Sequence, residues 1–259
     1  MTIIVVYPYI KVNQHNVDLT EQTDKKENEK NNEVLVNMEK VDSINDEKEK
    51  LAEEKESKRL EEIRMADEKR KELEEEKKKK TGTFVDNRDG KIYKWVKVGS
   101  QNWMAENLAY KPNSGNYWAY DNEYSYVSKY GYLYDWKTAC NVCPDGWHLP
   151  TDREWKELEM AIGMSSSDAD DKGFRGANVG NQIKTSSWGG NNSSGFTALP
   201  GGYRNTNGSF YYEGSDGLWW SATESGTNAR ARGLGSSQSD VNRGAYDKGF
   251  GFSVRCIRN

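Results

Sequence analysis

The stretch PTDREWKEL, residues 150–158, carries the strongest local structural signal in the chain. Thr151 and Glu154 have the spacing of a capping box, in which two side chains satisfy free backbone N–H groups at the start of a helix. The apolar residues that follow at helical spacing are Trp155, Leu158 and Ile162. Gly163 is suited to end the helix, because glycine adopts the backbone conformation of a C-terminal cap. A helix of about ten residues is therefore predicted here.

The sequence on both sides of this helix indicates a mixed α+β domain. A shorter helix is predicted over 134–141, and the chain after Gly163 is rich in the glycine, asparagine and serine typical of loops. Short runs of β-branched and aromatic residues predict strands over 91–98, 102–107, 209–212, 218–222 and 252–257. Two helices with short strands and long loops favour the α+β class.

Composition divides the chain into two parts. All 24 glycines and all nine tryptophans lie after residue 81. Residues 1–80 carry 22 acidic and 18 basic side chains, whereas residues 81–259 carry 19 of each. Because the second part has no basic excess to neutralise phosphates, nucleic acid is not expected as a partner. No run approaches the 20 or so apolar residues of a membrane span, so none is expected in this chain.

The N-terminal part is expected to be a charged stalk. Residues 20–45 are polar with few large apolar side chains, and we predict that residues 1–45 are disordered. They are alternatively the remnant of a signal or anchor. Residues 46–81 contain strong helix formers with acidic and basic side chains four apart, such as Glu54 and Lys58. The apolar spacing there does not sustain heptads, so a single helix is favoured over a weak coiled coil.

Several motifs in the second part resemble one family. They are the runs GKIYKWVKVGSQNWMAENLAY, YGYLYDWKTACNVCPDGWHLPTDREWKEL, GFTALPGGYRNTNGSFYYEG and LWWSATES, with the ending GFSVRCIRN. Together they resemble the Fibrobacter succinogenes major paralogous domain over residues 82–259, called the module below. The resemblance implies a C-type-lectin-like fold, related to that of formylglycine-generating enzymes. The shared pattern W-x-x-A-x-x-x-C-x-x-G-x-x-L is carried by Trp136, Ala139, Cys143, Gly146 and Leu149.

The chain has three cysteines, which allow three different single disulfides. The lectin-like resemblance implies the pair Cys143–Cys256 and leaves Cys140 free. Three reduced thiols in a cytosolic protein are the alternative. The pair Cys140 and Cys143 has the spacing of half a zinc or redox site, but no second pair accompanies it.

Catalysis and metal binding are not expected. The chain contains two histidines, His15 and His148, too few for a multi-histidine metal site or for a base with an orienting partner. The formylglycine-generating enzymes that the family resembles use a late cysteine pair, and only Cys256 is late here. The acidic loop over 165–173 fails the calcium-binding EF-hand pattern. We therefore assign no catalytic residue, no metal ligand and no cofactor.

A ligand surface is predicted on aromatic and polar residues near the C-terminus, where exposed rings can pack on a ligand. In a lectin-like fold the run 228–246 would lie on late strands and loops where ligands dock, although an ordinary exposed hairpin is the alternative. The predicted ligand-binding residues are Trp188, Trp219, Trp220, Asn228, Arg230, Arg232, Asp240, Arg243 and Tyr246.

These features together predict a non-catalytic binding module that is secreted or displayed at the cell surface. Its expected ligand is a glycan or a protein, and the charged stalk would hold it away from an anchor. The alternative is a structural module of a cell-envelope or surface assembly with no small ligand. A formylglycine-enzyme-like oxidoreductase is the third possibility, against which the missing cysteine pair and histidines argue.

Overall fold

A computed structural model describes residues 14–259, with side chains from residue 25 onward except residue 77. The chain divides after Glu72 into two compact units. The helix α1 spans Gln14–Lys80. Its residues 14–72 are the described part of the first unit, and its residues 73–80 are assigned to the second. The expected disorder is wrong for residues 14–45, which are helical; the rest of that prediction, residues 1–13, lies outside the described residues. The physical reason is the composition, because no glycine or proline interrupts residues 14–80.

Helix α1 is stabilised along its own surface. Lys58 pairs with Glu54 at 2.7 Å, and Arg64 pairs with both Glu61 and Glu68. These are the pairs three and four residues apart that a helix brings together. The large apolar side chains over 46–80 are all exposed: Leu51, Leu60, Ile63, Met65 and Leu73. In its described part, the helix therefore depends on local pairing and propensity rather than on burial.

The module is built mainly from short strands. In chain order they are β1 (Thr81–Val85), β2 (Ile92–Val98), β3 (Gln101–Met104), β4 (Tyr117–Trp118), β5 (Leu133–Tyr134), β6 (Trp147–His148), β7 (Gly173–Arg175), β8 (Gly201–Arg204), β9 (Phe210–Glu213), β10 (Asp216–Ser225), β11 (Asn228–Gly235), β12 (Val241–Asp247) and β13 (Ile257–Arg258). The helices are α2 (Val127–Tyr130), α3 (Trp136–Ala139), α4 (Asp152–Ala161), α5 (Ser166–Asp170) and α6 (Val179–Ile183). Single 3-10 turns lie at Tyr120–Asn122, Tyr124–Tyr126 and Ser186–Trp188. The α+β class is confirmed.

The predicted capping box starts α4. The Thr151 hydroxyl accepts from the Glu154 backbone N–H at 3.2 Å, and the Glu154 carboxylate accepts from the Thr151 backbone N–H at 2.7 Å. Trp155 and Leu158 are buried on the inner face, and Gly163, with φ of +106°, follows the last turn. The local signal was therefore sufficient to place this helix.

The strands form two principal sheets. One has five strands in the order β1-β2-β3-β13-β6, and the other has six in the order β7-β12-β11-β10-β8-β9. Strands β11 and β12 form an antiparallel hairpin, and β11 lies in the middle of the larger sheet, largely buried. The alternative of an exposed hairpin over 228–246 is therefore wrong for β11, because sheet neighbours cover both of its edges.

Two apolar clusters fill the module. One is centred on Tyr93, Tyr134, Trp220 and Phe252, and the other on Trp103, Trp155, Phe196 and Trp219. Trp219 and Trp220 are adjacent in β10 and therefore point to opposite faces of the sheet. Strand β10 thus contributes a tryptophan to each cluster.

The C-terminal strand closes the five-stranded sheet. Ile257 of β13 pairs with Trp103 of β3 on one side and with His148 of β6 on the other. Next to this strand, Cys256 is bonded to Cys143, with Cα atoms 5.9 Å apart. The disulfide that the family resemblance implied is therefore present, and Cys140 is the free cysteine.

Loss of this disulfide is expected to destabilise the module strongly. The bond closes a loop with a sequence separation of 113, for which the chain-entropy model gives about 4–5 kcal/mol. Urea unfolding with and without a reductant should show this loss as a lower midpoint. Cys140→Ser is the matched control, because it removes the free thiol and should leave both midpoints unchanged. Equal midpoints with and without reductant would contradict the structural role of the bond.

Candidate functional site

The two faces of the larger sheet differ in chemistry, and β11 shows why. Its sequence alternates small residues with arginine or leucine over 229–235, ARARGLG. Successive side chains in a strand point to opposite faces. Arg232 therefore projects toward α4, and Gly233 and Gly235 lie on the other face. An open cleft of about 470 Å³ lies on that second face.

Aromatic rings form the walls and floor of this cleft. Tyr203 of β8 lies 5.9 Å from Phe250 and 6.0 Å from Phe252, measured between ring centroids. Tyr246 of β12 lies 5.3 Å from Phe252 in an edge-to-face arrangement. Phe252 in turn packs on Trp220, so the cleft is continuous with the apolar core beneath it. Phe174 and Tyr212, which are 51% and 56% exposed, line its rim.

A few polar groups line the same cleft. Asp216 begins β10 opposite Gly235 of β11, and Asn242 accepts a hydrogen bond from the Tyr246 hydroxyl at 3.2 Å. Burial raises the pKa of Asp216, and the Ser215 hydroxyl offsets part of the rise. Burial also raises the pKa of Tyr246, and the charge of Asp216 adds to it. An apolar concavity with a few placed polar groups is the usual form of a ligand site.

Glycines keep the cleft open. A Cβ atom built on Gly233 would lie 3.4 Å from its nearest neighbour, the Asn242 Cβ, which is ordinary contact distance. A Cβ on Gly235 would lie 3.6 Å from Oδ1 of Asp216. Larger side chains at these two positions would therefore extend into the cleft without a clash at Cβ. Gly244 is different, because a Cβ there would lie 2.5 Å from the Tyr246 ring.

Tyr212 has an unusual backbone conformation. Its φ is +63°, in the left-handed region that costs a non-glycine residue on the order of 1 kcal/mol. Its carbonyl accepts from the backbone N–H and the hydroxyl of Ser215. The turn therefore holds an exposed aromatic ring at the rim of the cleft against a local conformational preference.

The three tryptophans predicted as ligand residues are buried, so that prediction is wrong. Trp188, Trp219 and Trp220 have exposures of 4%, 1% and 0%. Each indole N–H donates inside the module, to the Ser215 carbonyl, the Asn107 side-chain oxygen and the Tyr134 carbonyl respectively. Their nearness to loops in the sequence is misleading. Trp219 and Trp220 lie in β10 with an apolar cluster on each face, and Trp188 ends a 3-10 turn that packs into the cluster around Trp103.

Arg232 and Arg243 are also buried and belong to an ion network. Arg232 contacts Asp152 at 2.7 Å and Glu159 at 2.6 Å, both on α4. Arg243 contacts Asp152 at 2.7 Å, and Arg175 contacts Glu159 at 2.6 Å. The prediction that these two arginines face a ligand is wrong. The Arg232 guanidinium bonds to α4, and the Arg243 guanidinium bonds to Asp152 and to the backbone carbonyls of Asp170 and Asp171.

The remaining predicted residues separate into two groups. Tyr246 lines the cleft. Asn228, Arg230 and Asp240 are partly buried and lie outside the residues that line it. Sequence reasoning did not assign a ligand role to the other principal residues of the cleft, which are Phe174, Tyr203, Tyr212, Asp216, Asn242 and Phe250. The available signal was the alternation of β11, whose glycines mark the empty face.

A second depression, of about 460 Å³, lies near Tyr110 and Asp135. Its carboxylate is already used, since Asp135 caps α3 through the Thr138 backbone N–H and accepts from the Asn116 amide. His148 is engaged in a similar way, with Nε2 2.9 Å from the Glu154 carboxylate that caps α4. Both groups therefore stabilise helix ends, and the aromatic cleft is the stronger candidate site.

Fold and cleft together define a disulfide-linked α+β module with an aromatic, weakly acidic cleft. The sequence over residues 96–258 matches the family model described as the Fibrobacter succinogenes major domain. The match covers more than half of the chain, and the protein belongs to this family. Comparison with curated proteins and with solved structures finds no match. Within the described residues, no helix is long and apolar enough to cross a membrane.

Asp152→Asn is expected to destabilise the module by about 3–5 kcal/mol, because it leaves buried arginines without their carboxylate. Burial opposes ionisation of Asp152, but Arg243 and Arg232 outweigh it and hold its pKa well below the usual range. This stabilisation is complete above about pH 4, near the pKa of an unfolded aspartate, and is lost at lower pH.

Urea unfolding at neutral and acidic pH measures the effect of Asp152→Asn. Asp145→Asn, at an exposed position, serves as the control and should change stability little. The difference between Asp152→Asn and the unmodified chain should shrink as the pH falls below 4. If the loss of stability in Asp152→Asn were the same at neutral and acidic pH, the role of the Asp152 charge would be contradicted.

Proposed function

We propose that the module is a non-catalytic, extracytoplasmic binding domain that takes a glycan or protein ligand in the aromatic cleft, with a glycan as the better fit. The observation that carries this proposal is the cleft itself, where Tyr203, Tyr246 and Phe250 surround an open floor of glycine backbone. The apolar faces of sugar rings pack on aromatic side chains, and polar groups such as Asn242 can bond to sugar hydroxyls.

The single carboxylate in the cleft argues for binding rather than glycoside hydrolysis. Glycosidases use a pair of Asp or Glu residues on either side of the scissile bond. Among the residues that line the cleft, Asp216 is the only carboxylate. A ligand held there would meet one acidic group and several rings, an arrangement suited to recognition.

We also propose a C-type-lectin-like fold for the module and a location outside the cytoplasm, at the cell surface or secreted. The link between Cys143 and Cys256, which ties the segment after α3 to the last strand, supports both proposals. Disulfides persist in oxidising compartments and are rare in the cytosol. Mass spectrometry of native, non-reduced protein tests the location, and free alkylation of all three cysteines would contradict it.

Binding is expected to depend on Tyr212. Tyr212→Asn removes the ring at the rim and keeps a residue that tolerates the left-handed conformation. We expect a loss of affinity of about tenfold or more, the magnitude of a lost aromatic anchor, with the melting temperature unchanged or raised. A glycan array followed by calorimetry with the best ligand measures it.

Tyr124→Asn is the matched control, because Tyr124 is 69% exposed and does not line the cleft. Gly233→Leu is a second variant, expected to block the cleft by filling it. A folded module that binds nothing on the array would contradict glycan recognition and favour the structural-module alternative. Binding that survives both cleft variants would place the ligand elsewhere.

A further inference from the structure

The three buried carboxylates of the module each have an arginine partner, which the partly buried Asp216 lacks within the described residues. Asp86, Asp152 and Glu159 are buried, and each is bonded to at least one arginine. Asp216 is partly buried, burial raises its pKa, and no ion pair involves it among the side chains that the structure describes. An unpaired carboxylate in a desolvated position favours the approach of a cation from outside.

The surroundings of Asp216 strengthen its negative potential. None of the fourteen residues that line the cleft is lysine, arginine or histidine. The faces of aromatic rings carry a negative quadrupole that attracts cations. Burial raises the pKa of Tyr203, and the neighbouring tyrosines and Asp216 add to the rise, so the carboxylate acts on this ring as well as on Tyr246. The aromatic rings and the Asp216 carboxylate therefore both favour a positively charged ligand.

The dimensions of the cleft indicate what carries that charge. Its volume of about 470 Å³ lies within the range of small-molecule sites and exceeds the space that one lysine side chain would fill. Gly233 and Gly235 carry no side chains of their own, and Gln238 lies beside Gly235. The exposed backbone of these glycines gives one face of a sugar ring room to lie near Tyr246 and Asp216. A ring that bears an amine matches both the shape and the charge.

We propose that the cleft binds an amino sugar with a free, protonated amine, which pairs with the Asp216 carboxylate while the rings of Tyr203, Tyr212 and Tyr246 pack against the sugar. This inference rests on the proposed function and narrows its ligand class. A charge-assisted pair in a partly desolvated site is roughly twice as strong as a neutral hydrogen bond. Acetylation of the amine removes the charge and the pair.

The test compares two tetrasaccharides that differ only in whether their amines are free or acetylated. Titration calorimetry measures binding of a glucosamine tetramer and of its fully N-acetylated counterpart, at a pH where the free amines are protonated. We expect the glucosamine tetramer to bind about tenfold more tightly, and to lose about that factor in Asp216→Asn. The N-acetylated tetramer should bind Asp216→Asn and the unmodified chain equally.

Asp247→Asn is the matched control. It makes the same change in net charge on β12 outside the cleft, and the asparagine oxygen can still accept from the Gly249 N–H that Asp247 binds. Asp216→Asn should fold normally, because it removes a carboxylate that burial disfavours. Circular dichroism and melting temperature check this point, and a misfolded Asp216→Asn is replaced by Gly235→Gln, which covers the carboxylate from the floor.

The outcomes separate the inference from the proposed function. Equal binding of both tetramers, lost in Tyr212→Asn, would overturn the amine preference and leave a glycan site in place. No binding of any glycan would overturn both. Tighter binding of a lysine peptide than of the glucosamine tetramer would overturn the assignment to a sugar. If Asp247→Asn lowers the affinity for the glucosamine tetramer as much as Asp216→Asn does, net charge alone explains the effect. That result would overturn the proposed pair between the amine and Asp216.

Discussion

Two carboxylates on α4, Asp152 and Glu159, pair with three arginines that would otherwise repel one another more strongly inside the module. Arg232 and Arg243 are directly opposite each other on β11 and β12, a placement that destabilises a sheet when the two charges are alike. Asp152 bonds to both of them, and Glu159 bonds to Arg232 and Arg175. The packing of β11 and β12 against α4 therefore depends on both sets of charges, since neither the arginines nor the carboxylates can be buried without the others.

The same alternation that directs arginines toward α4 places glycines on the opposite face. The ion network orients the central strands from one side, and on the other side Gly233 and Gly235 leave the cleft without a side chain at those two positions of β11. The ion network and the candidate cleft thus lie on opposite faces of one sheet. The rings of the cleft also belong to the packing of the module, because Phe252 is buried in an apolar cluster against which Tyr203, Tyr246 and Phe250 pack.

Short-range features were predictable from sequence, and long-range ones were not. The start of α4 was predictable because Thr151 and Glu154 satisfy each other locally, and the Cys143–Cys256 bond came from the family resemblance. Sequence predicts Arg232 and Arg243 as surface groups because their carboxylate partners on α4 lie more than 70 residues away in the chain. Trp219 and Trp220 are mispredicted for a related reason, since the residues that cover each face of β10 are distant in the chain. The helix over 14–45 is not predicted because few large apolar side chains are available there for burial, whereas helix propensity and local pairing are sufficient to form it.

The distribution of roles along β11 has a practical consequence for redesign. Gly233 and Gly235 lie on the side of β11 away from the ion network and line the cleft, so changes at these two positions would alter its shape while the bonded arginines stay in place. Gly233 and Gly235 accept a Cβ at ordinary contact distance. A library varied at these two positions and at Asn242 would sample new binding surfaces on one unchanged framework, as loop libraries do on antibody domains.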